Sequence, residues 1–324
     1  MSIATAIIAA QGRVEAAYTA VSNKGGTIPA TKNLANLPAA ISSISGSSGS
    51  GHYIERIDDS GTLKNTTTTL INLTGITNLG SHVLEYAYNS NTSLLNTIDL
   101  SNITQVSGAN ALYSTFSGCT GITSINLSNL VTISGSMALY TMAASCTGLT
   151  SINFNSLTTV SGFAGLSYSF STCKYLTSVA FPSLTTLNGQ NAMESTFYNC
   201  IRLTSADLSS LVTVSGRNAL GYCFDSCSAL TTVTLTSLAT LTGDVCMQYC
   251  FSGCTSLSLL TFPALTSTSF GSRTNQFSEM LSGVTGCVVH FPSNLQSVIG
   301  SWSDVSNGFG GTNTTVLFDL PATE

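Results

Sequence analysis

The ten cysteines are the residues whose type and spacing first suggest chemistry. Cys223 and Cys227 are four apart, as are Cys246, Cys250 and Cys254. On a helix that spacing shares one face, where thiolates can hold zinc. Neighbouring thiols can also close disulfides. The wider spacing points elsewhere. Cys119, Cys146, Cys173, Cys200, Cys227 and Cys254 are each 27 residues apart, and Cys223 and Cys250 form a second such column. A disulfide framework does not need a fixed interval, whereas a repeat does. The reading is a ladder of buried free thiols, each a small apolar side chain, with disulfides and a metal site as the alternatives.

No other residues assemble into a reaction centre. The chain has no G-x-S-x-G, Walker loop, G-x-G-x-x-G or H-E-x-x-H. His52, His82 and His290 are far apart, and Asp58 and Asp59 read as a turn with too few ligands for calcium. The expectation is a protein that is not an enzyme, with no catalytic residues, no cofactor and no metal.

The elements that carry the cysteines repeat with them. Three residues after each cysteine comes Ile122, Leu149, Leu176, Leu203, Leu230 or Leu257. Six after comes Ile125, Ile152, Val179, Ala206, Val233 or Leu260, and eight after Leu127, Phe154, Phe181, Leu208, Leu235 or Phe262. Eleven after, all six are Leu, from Leu130 to Leu265. Positions six and eight alternate as one face of a strand requires. A glycine from Gly135 to Gly243 follows at sixteen, as a turn of unusual dihedrals would want. Stretches such as "NALYSTFSGC" read as a short helix or helical turn with Leu112 and Phe116 inward. One unit cannot bury its apolar face alone, so units must stack. The fold class is an α/β repeat solenoid: leucine-rich repeats of 27 residues on one parallel sheet, with an N-terminal helical segment.

Phe197, Cys200, Leu203 and Thr204 match the phrase F-x-x-C-x-x-L-T-S-[IV], so the chain resembles the BspA-like leucine-rich repeats of bacterial surface proteins. The resemblance covers about two thirds of the chain. The 27-residue unit is longer than is usual there, and the extra residues fall between Gly135 and Cys146. The resemblance implies a bacterial cell-surface adhesin.

The expected division is a helical attachment or oligomerisation segment at 1–45, a Ser/Gly linker at 46–51, a solenoid of about eight turns at 52–295, and a C-terminal cap at 296–324. Ile7, Val14 and Val21 fall seven apart and define an apolar seam. That seam either joins copies or holds the chain to another protein, or it is a helical hairpin packed within the chain. The linker "SGSSGSG" favours attachment, since a cap must be fused rigidly to its core. The segment "KGGTIPATKNLANLPAAISSI" resembles N-terminal segments of bacteriophage tail and fibre proteins through Gly26, Pro29, Leu34, Leu37, Pro38, Ile41 and Ile44. It implies a virion surface protein of tail-fibre or receptor-binding type, made in a host cytoplasm, with other virion proteins or itself as partners through 1–45. The alternatives are the bacterial cell-surface adhesin and a structural virion decoration protein without a receptor. The N-terminus lacks the basic region of a signal peptide, so export by the ordinary signal route is not expected.

Only 7% of the 324 residues are charged and the net charge is -5. Between 101 and 200 the charges are Lys174 and Glu194. Phosphate binding needs many Lys and Arg, so no nucleic-acid partner is expected. No apolar run suits a membrane span, so no membrane insertion is expected. A host-surface protein or glycan remains as a partner class. On the strand face Asn126, Asn153 and Asp207 are candidate contacts. On the convex side the candidates are Tyr113, Tyr140, Tyr168, Tyr222 and Tyr249, because tyrosine adds contact area at low entropy cost. The other reading is that these tyrosines pack half-buried between turns.

Overall fold

The computed structural model describes residues 76–90, 92, 96–266 and 275–323. The expected attachment helices with Ile7, Val14 and Val21, the linker, and the solenoid's expected start up to 75 lie outside the described residues.

The chain coils so that residues 27 apart become neighbours. Strands Asn96–Asp99, Ile122–Asn126, Ser151–Asn153, Ser178–Ala180, Ser205–Asp207, Thr232–Thr234, Leu259–Thr261, Val288–Pro292 and Thr315–Leu320 form one face. They pair in parallel in three groups of three, which makes nine rungs. Ala206 faces Val179 on one side and Val233 on the other. In a central coil Leu203, Ala206, Leu208 and Leu211 are all buried, as their spacing predicts.

Periodicity did not single out the second parallel ladder. Asn78–Leu79, Gln105–Val106, Thr132–Ile133, Thr159–Val160, Thr186–Leu187, Thr213–Val214 and Thr240–Leu241 form one seven-stranded sheet. The second residue of each strand points into the core and is fully buried. The first residue faces outward.

The third face corrects the expectation of a convex helix. Across 110–119 the backbone N–H groups alternate in destination. Those of Asn110, Leu112, Ser114, Phe116 and Gly118 donate to Ser136, Ala138, Tyr140, Met142 and Ala144 of the next coil at 2.7–2.9 Å. Those of Tyr113, Thr115 and Cys119 donate three residues back, to Asn110, Leu112 and Phe116. Every fourth residue is left-handed: Asn110 at φ 53°, Ser114 at 49° and Gly118 at 74°. The cause is spacing. Parallel strands set the coils about 4.8 Å apart, whereas packed helices need about 8–10 Å between axes. A helix on every coil would force the coils to splay apart on this face. An alternating backbone fits, because half of its N–H groups bond between coils. The phenylalanines follow the same spacing: Phe170, Phe197, Phe224 and Phe251 stack with centroids 5.5–5.9 Å apart and ring planes within 12°.

Left-handed backbone strains a β-branched residue by about 1–3 kcal/mol. Val245 is such a residue, at φ 46°, in the column where Asn110, Asn191 and Asn218 stand. Val245→Asn is expected to raise the unfolding free energy by about 1 kcal/mol. A denaturant midpoint that falls instead would contradict this backbone.

The glycine column also has a different cause from the one expected. Gly108, Gly135, Gly162, Gly189, Gly216 and Gly243 do not have positive φ. A Cβ on each would drive into backbone of the preceding coil; at Gly162 it would meet the carbonyl of Gly135. The column is glycine because coils approach too closely there for any side chain.

At the C-terminus Thr315–Leu320 forms a strand that extends the solenoid: Val288 faces Thr315 and Val289 faces Val316. Between the last two strands the chain forms short helical segments, among them Ser293–Leu295, Gln296–Ile299 and Ser303–Ser306. Trp302 between the last two is extended, at φ -65° and ψ 145°. Leu295, Ile299 and Val305 still bury against the core.

Candidate binding surface

All ten cysteines are buried thiols. They do more than fill space. Cys200 Sγ donates to the Phe170 carbonyl at 3.2 Å, Cys227 to Phe197 at 3.1 Å and Cys254 to Phe224 at 3.1 Å. Each thiol of the 27-residue column therefore links its coil to the one before. Burial pushes the thiols of Cys146, Cys200, Cys246 and Cys254 up to about 12. A protonated, enclosed thiol is a poor nucleophile and a poor metal ligand. Among the described residues no group of three or more His, Cys, Asp or Glu is placed to hold a metal ion. At pH 8 the native protein is expected to leave all ten thiols unreacted with an alkylating reagent, and the denatured protein to react at all ten. Six or more found oxidised would contradict the ladder.

On the strand face, Asn126, Asn153 and Asp207 occupy one column. Each side-chain Oδ1 accepts the N–H two residues on, from Ser128, Asn155 and Ser209 at 2.9–3.1 Å. Asp99 does the same with Ser101, whose hydrogen bonds hold its carboxyl below the usual range. Asn126 Nδ2 also donates to Asp99 at 3.0 Å. These side chains are committed to closing the strand ends. Threonines complete the surface: Thr150, Thr204 and Thr231 hydroxyls donate to carbonyls 27 residues earlier at 3.0–3.1 Å. A surface whose hydroxyls are satisfied between coils needs few charges. An open depression does lie on this face, lined by Ser124, Asn126, Ser151, Ile152, Asn153 and Ala180, where the strand groups change between Ser151–Asn153 and Ser178–Ala180.

The tyrosines lie on the third face, away from Asn126, Asn153 and Asp207, so the eight candidate contacts do not form one site. Tyr113, Tyr140, Tyr168, Tyr222 and Tyr249 are half-buried. Tyr86, Tyr113, Tyr140 and Tyr168 run in line with centroids 5.1–5.8 Å apart. Tyr222 and Tyr249 form a second stack at 4.9 Å. Their half-burial and stacking match the reading in which they pack between turns. The coil between the stacks carries Glu194 instead of a ring. Burial raises its carboxyl above the usual range, and Asn218 Nδ2 donates to it at 3.0 Å.

The structure adds a place that sequence reading passed over. One residue after the column cysteine stand Thr120, Thr147, Lys174, Ile201, Ser228 and Thr255. Two after stand Gly121, Gly148, Tyr175, Arg202, Ala229 and Ser256. Large residues enter this corner in two adjacent coils and in no other of the six. Tyr175, Tyr198 and Ile201 are 49%, 39% and 40% exposed, which marks them as open apolar surface. Arg202 lies over Tyr175, its Cζ 4.3 Å from the ring centroid. The signal was available: "CKYL" and "CIRL" depart from "CTGI" and "CTGL".

No curated protein matches the chain significantly. Among solved structures, a leucine rich cell surface protein of Faecalibacterium prausnitzii is 14% identical, with 74% of this chain and 83% of that chain covered at a TM-score of 0.25. A leucine-rich repeat protein of Bacteroides ovatus is 19% identical, with 74% and 87% covered at 0.18. One from Eubacterium ventriosum is 16% identical, with 60% and 78% covered at 0.23. The model of the BspA type leucine rich repeat region matches in six copies, over residues 77–220 and 144–287. With the matched repeats spanning well over half of its residues, the chain belongs to the BspA-type leucine-rich-repeat family.

Proposed function

We propose that the protein is a non-enzymatic, surface-presented binding protein of adhesin type. The observation that carries this reading is the third face, where tyrosine rings stand in line in a chain of which only 7% is charged. Coils tied by two ladders and by the third face's own hydrogen bonds hold those rings in fixed register, so binding costs little ordering entropy. Membership of a repeat family that resembles bacterial surface proteins supports presentation on a cell. Among the described residues no helix is long and apolar enough to cross a membrane.

A virion location is the second reading. It rests on the resemblance of residues 24–44 to phage tail and fibre segments. In it the partners are other virion proteins or a second copy through 1–45, and a host-surface protein or glycan through the repeats. Two measurements test these readings. Labelled full-length protein should bind intact bacterial or epithelial cells saturably, and Tyr113→Ser with Tyr140→Ser should weaken that binding about tenfold. No saturable binding would contradict the adhesin reading. Immunogold labelling of cell envelopes and of induced phage particles separates the two locations.

A further inference from the structure

The tyrosine stacks follow the repeat; the corner at Lys174, Tyr175, Tyr198, Ile201 and Arg202 breaks it. The repeat is its own control here. Four coils close this corner with Thr, Gly, Ser or Ala, so stacking does not require the large residues found in the other two. The core positions beside them keep to the pattern: Cys173, Leu176, Cys200 and Leu203 are fully buried. The departure is therefore confined to the surface.

The five residues are placed as one patch. Tyr175 and Arg202 are 27 apart and contact each other across the coils. Lys174 and Ile201 are likewise 27 apart, and Tyr198 precedes Arg202 by four on the same coil. Lys174 and Arg202 are two of the three cations among the described residues. The third, Arg217, is held by Asp244 at 3.5 Å. Arg202 Cζ lies 4.3 Å from the Tyr175 ring centroid, a cation–π contact that favours one position of the guanidinium, whose N–H groups suit a carboxylate. Asp225 bounds the patch on the next coil. Burial raises its carboxyl, while Ser226 and Ser252 donate hydrogen bonds to it.

We propose that this corner is the docking hot spot for an acidic segment of a partner protein. A carboxylate would take the Arg202 fork with Lys174 beside it, and an adjacent apolar side chain would cover Tyr198 and Ile201. Tyrosine and arginine are the residue types that dominate binding energies at interfaces. Exposed isoleucine fits an apolar protein side chain and gives nothing to a sugar hydroxyl, so a protein partner is favoured over an acidic glycan. The inference rests on the reading of this chain as a binding protein and names the chemistry of its partner.

The test uses the full chain against an array of short peptides of varied composition, with hyaluronan oligosaccharides alongside, and does not depend on cell binding. The peptides retained should carry Asp or Glu within two residues of Leu, Phe, Ile or Tyr. The variant Lys174→Thr, Tyr175→Gly, Ile201→Thr and Arg202→Gly copies the neighbouring coils, so it should melt as the parent does and bind those peptides at least about tenfold more weakly. Arg202→Glu alone should do the same. Retained peptides that are basic or neutral, an empty array, tighter binding of hyaluronan, or full binding by the four-residue variant would each overturn the proposal. Loss of cell binding with the corner's peptide affinity intact would instead count against the adhesin reading alone.

Discussion

Gly162→Ala is expected to lower the unfolding free energy by about 3 kcal/mol or more, the upper end of the cost of overpacking. The Cβ it adds would overlap the Gly135 carbonyl of the preceding coil. Strands hold both coils on either side of the contact: Thr132 faces Thr159 in the second ladder, and Ser124 faces Ser151 in the first. Neither backbone can retreat without breaking ladder bonds. A rotamer change cannot relieve the clash either, since the methyl has none. Gly189→Ala should behave alike, because its Cβ would meet the Gly162 carbonyl. Denaturant unfolding of both variants checks this. A loss within about 0.5 kcal/mol, the range of ordinary surface substitutions, would show that the coils are not stacked this closely.

Sequence period was enough to place one face of this fold and left the other two obscure, for separate reasons. Leu203, Ala206, Leu208 and Leu211 announce a strand and its flanks because their burial follows the strand period directly. The second ladder uses two residues per coil, such as Thr186–Leu187, and two residues are too few to show alternation. A column of Thr followed by Val, Ile or Leu was the available signal. On the third face a left-handed residue every fourth position sets side chains at a four-residue interval. Leu112 and Phe116, or Met193 and Phe197, therefore look like one side of a helix. Asparagine tolerates φ above zero, and Asn110, Asn191 and Asn218 hinted at it, but Met137, Ala164 and Val245 in the same column masked the hint. The glycine column was visible while its cause was not, since close approach and positive φ call for the same residue. Of the candidate contacts, the tyrosines could be found by column, but their shared line and the gap at Glu194 needed coordinates. The corner is hidden from the repeat pattern because Lys174, Tyr175, Ile201 and Arg202 stand where the repeats differ.

A repeat body that binds is proposed to be carried on a separate segment that attaches. Residues 1–45, with the seam of Ile7, Val14 and Val21 followed by a Ser/Gly joint, are proposed as that segment. Aspartate at Ile7 and Val14 would bury unpaired charge in an apolar seam, which costs several kcal/mol per residue. The most direct measurement compares the full chain, Ile7→Asp with Val14→Asp, and a chain beginning at residue 52, each by thermal unfolding and by mass in solution. The predicted result is one cooperative transition at the same temperature for all three, with the full chain assembled and the other two monomeric. Unfolding of the shortened chain would make residues 1–45 a cap of the solenoid. A folded shortened chain that assembles as the full chain does would place the assembly contact on the repeats themselves, and either result would contradict the claim.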